Sequence, residues 1–261
     1  MMHLTVLGGC GAWPVPEQPC SGYLLESEDF RLLVDPGYAT FPALQEYATA
    51  GQIDAVLVTH GHPDHCADLN PLLRARALAD EPPAPLPVHS LPGALDAVLA
   101  LDRPGMLRDA FTLREFRGGD RFEIGPFRVD TRLLPHFVPN AGLRLTAGGT
   151  SLAYTGDTGP SPEVTALARE ADLLLSEATY VDQVPRADAE FLLSARSAGE
   201  YAEAAGAARL LLTHLWPGTD PSAALGAAAR AFTGPIDVAR RGLVAEAPAA
   251  IPPPSSDGLH D

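Results

Sequence analysis

The apolar positions of this chain fall into short runs that switch between the period of a strand and the period of a helix. Residues 4–7, 22–26 and 31–35 read as strands, and Ser27-Glu28-Asp29 between the last two reads as a hairpin turn. Helical spacing predicts a helix over 41–50, and the run Ala55-Val56-Leu57-Val58 then predicts a buried strand. Residues 68–79 and 93–101 read as helices and 88–90 as a strand. Glu81-Pro82-Pro83-Ala84-Pro85-Leu86-Pro87 holds too much proline for either element and reads as a surface connection. Strand signals return at 121–124, 127–135, 143–146 and 151–155, separated by glycine-rich turns. Helices are predicted over 162–170, 195–208 and 221–232, with Ser194 as the cap of the second, and strands over 171–176 and 209–213.

The chain therefore reads as two halves, each running from strands to helices, with no repeat of fixed period. Such mixed elements predict sheets covered by helices on their outer faces, with strand ends presenting loops along one edge. Residues 1–245 are expected to form one domain, and the tail 246–261, rich in Pro, Ala and Ser, to be disordered.

Chemistry concentrates after the run 55–58, in Thr59-His60-Gly61-His62-Pro63-Asp64-His65. The Gly and Pro predict a tight turn at a strand end, which can aim His60, His62, Asp64 and His65 at one volume. Nitrogen and oxygen donors without thiolate suit Zn²⁺, Mn²⁺ or Fe, and suit a catalytic site better than a structural one. Three later segments repeat the arrangement of an apolar strand ending in a donor. They are Leu133-Leu134-Pro135-His136, Leu152-Ala153-Tyr154-Thr155-Gly156-Asp157 and Leu210-Leu211-Leu212-Thr213-His214.

Bulk composition narrows the partners. The chain has 261 residues, 46% of them hydrophobic, and carries 18 basic against 33 acidic side chains for a formal net charge of −15. A surface of that sign repels a long nucleic acid, and no Lys/Arg run offsets it. A small anion stays admissible, because bound divalent cations reverse the local potential. No stretch approaches the roughly 18 apolar residues of a membrane span. The N-terminus runs straight into a strand without a basic region or cleavage site, so the expected location is the cytoplasm. Cys10, Cys20 and Cys66 form no CxxC pair and imply no disulfide framework; Cys66 reads as a small buried filler.

These segments together resemble the metallo-β-lactamase fold hydrolases over residues 2–245, and the H-x-H-x-D-H pattern at 60–65 is the most specific part of the match. The resemblance implies an α+β fold, a four-layer αββα sandwich with two divalent ions at one edge. Zinc is the first expectation for both ions, with Mn or Fe also compatible. It implies that His60, His62 and His136 hold one ion, that Asp64, His65 and His214 hold the other, and that Asp157 bridges them. Within the family the chain is most similar to the ribonuclease Z-like branch, including its bacterial cyclic-nucleotide phosphodiesterase relatives. Leu7-Gly8-Gly9-Cys10-Gly11, Ser21-Gly22-Tyr23-Leu24-Leu25, Tyr154-Thr155-Gly156-Asp157-Thr158, Ser176-Glu177-Ala178-Thr179-Tyr180 and Leu212-Thr213-His214 carry that similarity. Glycines 8, 9 and 11 fit no nucleotide-binding loop and read as a tight turn under the metals. Ser21, Ser151 and Ser176 lack the G-x-S-x-G setting of a serine nucleophile.

The implied activity is hydrolysis of a small phosphodiester, with cyclic nucleotides among the candidates. Two neighbouring divalent ions lower the pKa of a bridging water and stabilise charge on phosphoryl oxygens. Asp64 is then both a ligand and a partner for the nucleophile's proton, and Glu177 is the second catalytic candidate. Asp35, in Val34-Asp35-Pro36-Gly37, either orients a ligand histidine or is a plain turn residue.

The pattern breaks in two places. The branch carries a further histidine that pairs with the Glu of Glu-Ala-Thr and protonates the leaving group; here Leu192 stands at that position. Glu177 remains, and Asp188, Glu190 and Tyr180 are the side chains that could substitute. Otherwise the substrate is an ester, lactone or thioester whose leaving group needs no acid. A third reading, a metal-retaining binding or regulatory protein, fits poorly with seven intact ligands. The tRNA-processing members also carry an inserted basic arm, whereas 157–177 is short and acidic, so tRNA 3′ processing is not expected. The resemblance admits a homodimer, with 68–101 as the region to supply its interface.

Overall fold

The computed structural model describes residues 2–246. Two seven-stranded sheets lie in it face to face. The first has the order β14 (Val244–Glu246), β1 (Met2–Gly8), β2 (Gly22–Ser27), β3 (Phe30–Val34), β4 (Ala55–Leu57), β5 (Leu86–Ser90) and β6 (Phe111–Glu115). The second has the order β13 (Ile236–Val238), β12 (Leu210–Thr213), β11 (Leu173–Glu177), β10 (Thr150–Tyr154), β9 (Asn140–Ala147), β8 (Phe127–Leu134) and β7 (Arg121–Ile124). In each sheet the strands joined by the shorter connections pair antiparallel, as β1–β2–β3 and β7–β8–β9–β10 do, the longest of these being residues 9–21 between β1 and β2. Those joined by longer connections pair parallel, as β3–β4–β5–β6 and β10–β11–β12–β13 do.

Strand alternation sorts the apolar side chains into layers. Leu4, Val6, Tyr23, Leu25, Leu32, Val34 and Leu57 of the first sheet meet Leu143, Leu145, Leu152, Tyr154, Leu173, Leu175 and Leu211 of the second. The intervening residues of the first sheet, Leu24, Leu33, Val56 and Val88, face outward onto α1 (Thr40–Leu44), α3 (Leu69–Ala77) and α4 (Asp96–Leu99). Those of the second, Ala153, Leu174, Leu210 and Leu212, face α5 (Pro162–Ala168), α6 (Ala195–Ala205) and α7 (Pro221–Ala228). The result is the α+β, four-layer αββα sandwich. Each fully buried leucine contributes about 1.5–3 kcal/mol, so three contiguous layers of them fix the register of both sheets.

Local signals explain the boundaries. Ser194 accepts from Ser197 N at 3.2 Å to start α6, and Gly206 ends it in the left-handed region at φ 65°. Pro162 and Pro221 open α5 and α7 behind the side-chain caps Ser161 and Asp220.

The helix expected over 41–50 stops at Leu44, and Thr49 and Gln52 form a capping box that starts a separate 3₁₀ turn at Ala50–Gln52. The turn expected at Pro63 is a one-turn helix, α2 (Pro63–Cys66). Strands β6, β13 and β14 were not predicted: β6 is mostly exposed, and the other two span three residues each. From 247 onward, the tail expected to be disordered lies outside the described residues.

Candidate metal centre

The site forms where four strands end along one edge of the two sheets. The chain leaves β4 at Val58, and the carboxylate of Asp35 takes hold of the next residue. Asp35 Oδ1 accepts from Thr59 N at 2.7 Å and Oδ2 from Thr59 Oγ1 at 2.7 Å. Thr59 O in turn accepts from Ala141 N at 3.0 Å, which ties this edge of the first sheet to β9 of the second. His60 follows, His62 is in extended backbone, and α2 places Asp64 and His65 in its single turn. From the second sheet come His136 after β8, Asp157 after β10 and His214 after β12.

Two of these donors depend on unusual backbone. Gly156 turns in the left-handed region at φ 57° to present Asp157. His214 itself is left-handed at φ 55°, and it lies against Gly11, where a Cβ would come within 2.9 Å of its Cε1 and Nδ1. Of the glycines expected to turn beneath the site, Gly11 is the one required by packing against His214, while Gly8 and Gly9 lie against Pro19 and Cys20 and against Thr213 and Ala239.

All seven residues singled out as ligands converge. The donor atoms of His60, His62, His136 and Asp157 lie within 4.8 Å of one another, as do those of Asp64, His65, Asp157 and His214. Asp157 belongs to both groups.

Hydrogen bonds on the outer side of the rings assign their tautomers. His136 Nδ1 faces the Phe191 carbonyl at 3.0 Å, which can only accept, so Nδ1 carries the proton. His65 Nδ1 faces Asp35 Oδ2 at 2.8 Å and donates likewise. Thr59 Oγ1 already donates to Asp35, so it accepts from His60 Nδ1 at 3.0 Å. Thr179 Oγ1 donates to Glu177 Oε2 at 2.7 Å and so accepts from His214 Nδ1 at 3.0 Å. Four imidazoles thus turn a bare Nε2 lone pair inward. His62 Nδ1 meets two of them, at 3.1 Å from His60 and 3.0 Å from His136.

Inward-facing lone pairs beside carboxylates repel one another unless a cation lies among them. His65 Nε2 and Asp157 Oδ1 show this most clearly: they are 3.3 Å apart, buried, and among the described residues neither has a hydrogen-bond partner. His214 Nε2 lies 3.2 Å from Asp157 Oδ2 and 3.1 Å from Asp64 Oδ2. The donor set fits divalent ions, with four of the five rings held from behind in the manner of ligating histidines.

The electrostatics agree. Burial holds His60 well below the usual histidine range and lowers His62 and His136, so these rings are neutral. Burial opposes charge on His65 and His214, but the carboxylates around them, Asp157 and Asp64 with Asp35 at His65, together raise both, so this end of the cluster is the one that attracts a positive charge. Burial would push Asp64 and Asp157 up, but the surrounding histidines hold both below the usual carboxylate range.

Glu177 is wholly buried. Its carboxylate accepts from Thr158 N, from Thr179 Oγ1 and, at 3.2 Å, from Leu193 N. Burial and the nearby Asp157 charge push it up to about 8. It reaches His214 through Thr179, as Asp35 reaches His60 through Thr59. Neither threonine was singled out from the sequence; each stands beside a donor or an acid in the quoted motifs, at Thr59-His60 and Glu177-Ala178-Thr179.

Leu192 is a buried residue with 8% of its surface exposed. Of the side chains named as substitutes for the missing histidine, Tyr180 donates to Asp188 Oδ2 at 2.6 Å, and that bond pushes its hydroxyl up to about 12. Glu190 is exposed. Cys66 packs among Leu69, Leu72 and Leu73, with burial pushing its thiol up to about 12. No helix among the described residues is long and apolar enough to cross a membrane.

Comparison with known proteins agrees with this geometry. The beta-lactamase superfamily domain matches residues 30–215. ML1173 of Mycobacterium leprae is 34% identical over 245 residues, covering 90% of this chain and 85% of that one. The probable metallo-hydrolase YhfI of Bacillus subtilis is 30% identical, covering 94% of this chain and 100% of that one, and its crystal structure superposes with a TM-score of 0.86. Ribonuclease Z of Myxococcus xanthus is 27% identical over 303 residues, covering 95% and 98% of the two chains. The chain belongs to the beta-lactamase superfamily and has the metallo-β-lactamase fold.

Proposed function

We propose that this protein is a dinuclear-metal-dependent hydrolase of small phosphodiesters, with cyclic nucleotides as the first candidates. The observation that carries this reading is the inward convergence of seven donors with Asp157 common to both groups. In this reading His60, His62, His136 and Asp157 hold one divalent ion, zinc by preference, and Asp64, His65, His214 and Asp157 hold the other. Bound there, the ions supply Lewis-acid charge that activates water and stabilises phosphoryl oxygens. Similarity to a ribonuclease Z supports phosphodiester chemistry.

The protein's own groups supply positioning. Asp35 sets the tautomers of His65 and His60, Glu177 sets that of His214, and Ala12 N donates to Asp64 Oδ2 at 2.8 Å. Asp64 is buried with 7% of its surface exposed, and in this reading it is the carboxylate that takes a proton from the nucleophile. Glu177, sealed behind Thr179, acts as a positioning residue.

Leu192 favours a second reading, hydrolysis of an ester, lactone or thioester with a good leaving group. The experiment that separates the two is metal-dependent turnover of a cyclic-nucleotide panel beside bis(p-nitrophenyl) phosphate. Turnover of both supports the phosphodiesterase. Turnover of the activated diester alone moves the assignment to good leaving groups.

A further inference from the structure

We propose that Trp13 and Trp216 form a subsite for the planar ring of a nucleobase carried by the substrate. The inference rests on the phosphodiesterase reading and names the substrate class of that site.

Both tryptophans are large apolar side chains left in solvent, 48% and 42% exposed, and their rings meet edge to face at 5.1 Å between centroids. Each is attached to a candidate metal ligand. Trp13 follows Ala12, which is held in the left-handed region at φ 59° with its N–H on Asp64 Oδ2 at 2.8 Å. Trp216 lies two residues beyond His214. The two loops are joined by Gly11 N to Leu215 O at 2.9 Å, and the Cys10 thiol donates to Trp13 O at 3.4 Å. The pair is thus pinned beside the ligand group of Asp64 and His214. Next to it a cavity of about 230 Å³ is lined by Trp216, Val15, Leu215, Pro221 and Val238.

Charge explains why rings would do this work. The chain contains no lysine and is strongly acidic, and among the described residues every ion pair made by Asp64 and Asp157 is with a histidine. Bound cations attract the phosphoryl group but cannot orient the remainder of the substrate. A T-shaped pair presents an aromatic face on which any base can stack, and removing such a platform weakens binding about five- to one-hundred-fold.

Trp13 and Trp216 are the only tryptophans in the sequence, so their emission reports on this site alone. The test titrates the zinc-loaded protein with AMP and with ribose 5-phosphate, following tryptophan emission and binding heat. The proposal expects AMP to quench emission and to bind at least about fivefold tighter than ribose 5-phosphate. That advantage should vanish in Trp13→Ala and Trp216→Ala and persist in Trp13→Phe, with all three variants melting like the parent. Equal, zinc-dependent affinity for the two phosphates overturns the subsite and leaves the phosphodiesterase reading standing. If neither phosphate binds in a zinc-dependent way, that reading falls and the subsite falls with it.

Discussion

Asp35 Oδ2 lies 2.8 Å from His65 Nδ1, and this contact decides which nitrogen of His65 is left to face Asp157. The same oxygen accepts from Thr59 Oγ1 at 2.7 Å and from Tyr154 OH at 2.9 Å, with Asp35 wholly buried and left-handed at φ 49°. Of the two readings of this residue, the histidine-orienting one is what the geometry shows. An Asp35→Asn variant keeps the shape but replaces one accepting oxygen with a donor. It should lose about 10- to 100-fold in metal affinity, measured by competition with a calibrated chelator. Unchanged affinity would remove Asp35 from the metal centre.

The opposite wall repeats the arrangement through Glu177, Thr179 and His214. Thr179→Val removes the hydroxyl from both bonds and should lower metal affinity by about tenfold or more. Thr179→Ser restores the relay and should recover most of it. Equal affinities for the Val and Ser variants would show that the relay holds nothing in place.

Asp157 is common to both ligand groups. Asp157→Ala should therefore release at least one metal per chain by elemental analysis of the purified protein. A stoichiometry equal to that of the parent would overturn the assignment.

Leu192 is buried at the position where the ribonuclease Z-like resemblance implies a proton-donating histidine. Leu192→His should raise turnover of a diester with a poor leaving group and change an activated diester little. The ceiling for a well-placed acid is about 10²- to 10⁴-fold. No gain on the poor leaving group would count against phosphodiester hydrolysis as the native reaction.

His89 gives a pH dependence unrelated to the metals. Its ring stacks on Phe122 at 5.5 Å and 2°, and burial, with the charge of Arg114 added, lowers it to about 4. The unfolded chain binds this proton near pH 6.5, whereas the folded protein refuses it until about 4. The stability it contributes is complete above 6.5 and falls by up to about 3 kcal/mol as pH drops towards 4. Urea titrations between those limits should show a shallower slope for His89→Phe. An identical slope would mean the site is solvated.

The candidate ligands were legible because each follows a strand that closes on apolar residues, Leu133-Leu134 being the shortest such pair, and the donors are chemically distinctive. What surrounds them was harder to read. Thr59, Thr179 and Tyr154 act through hydrogen bonds between segments far apart in the chain, and a threonine or tyrosine has the same letter whether it relays or fills. Trp13 sits in a loop with no period to mark it. Strand β6 alternates too weakly to announce itself, since among the described residues its outer edge has no neighbour and all its side chains but Phe111 are exposed.

Each ligand group draws on both sheets: His60 and His62 with His136 and Asp157, and Asp64 and His65 with Asp157 and His214. This has a consequence during synthesis. The densest part of the donor set leaves the ribosome early, within the first 65 residues, yet neither group is closed until the second sheet has been made and docked. The group that includes His214 must wait for nearly the whole chain. In the proposed reading, metal acquisition therefore follows folding of the nascent protein, and a stalled or truncated product holds a histidine cluster with neither donor group closed.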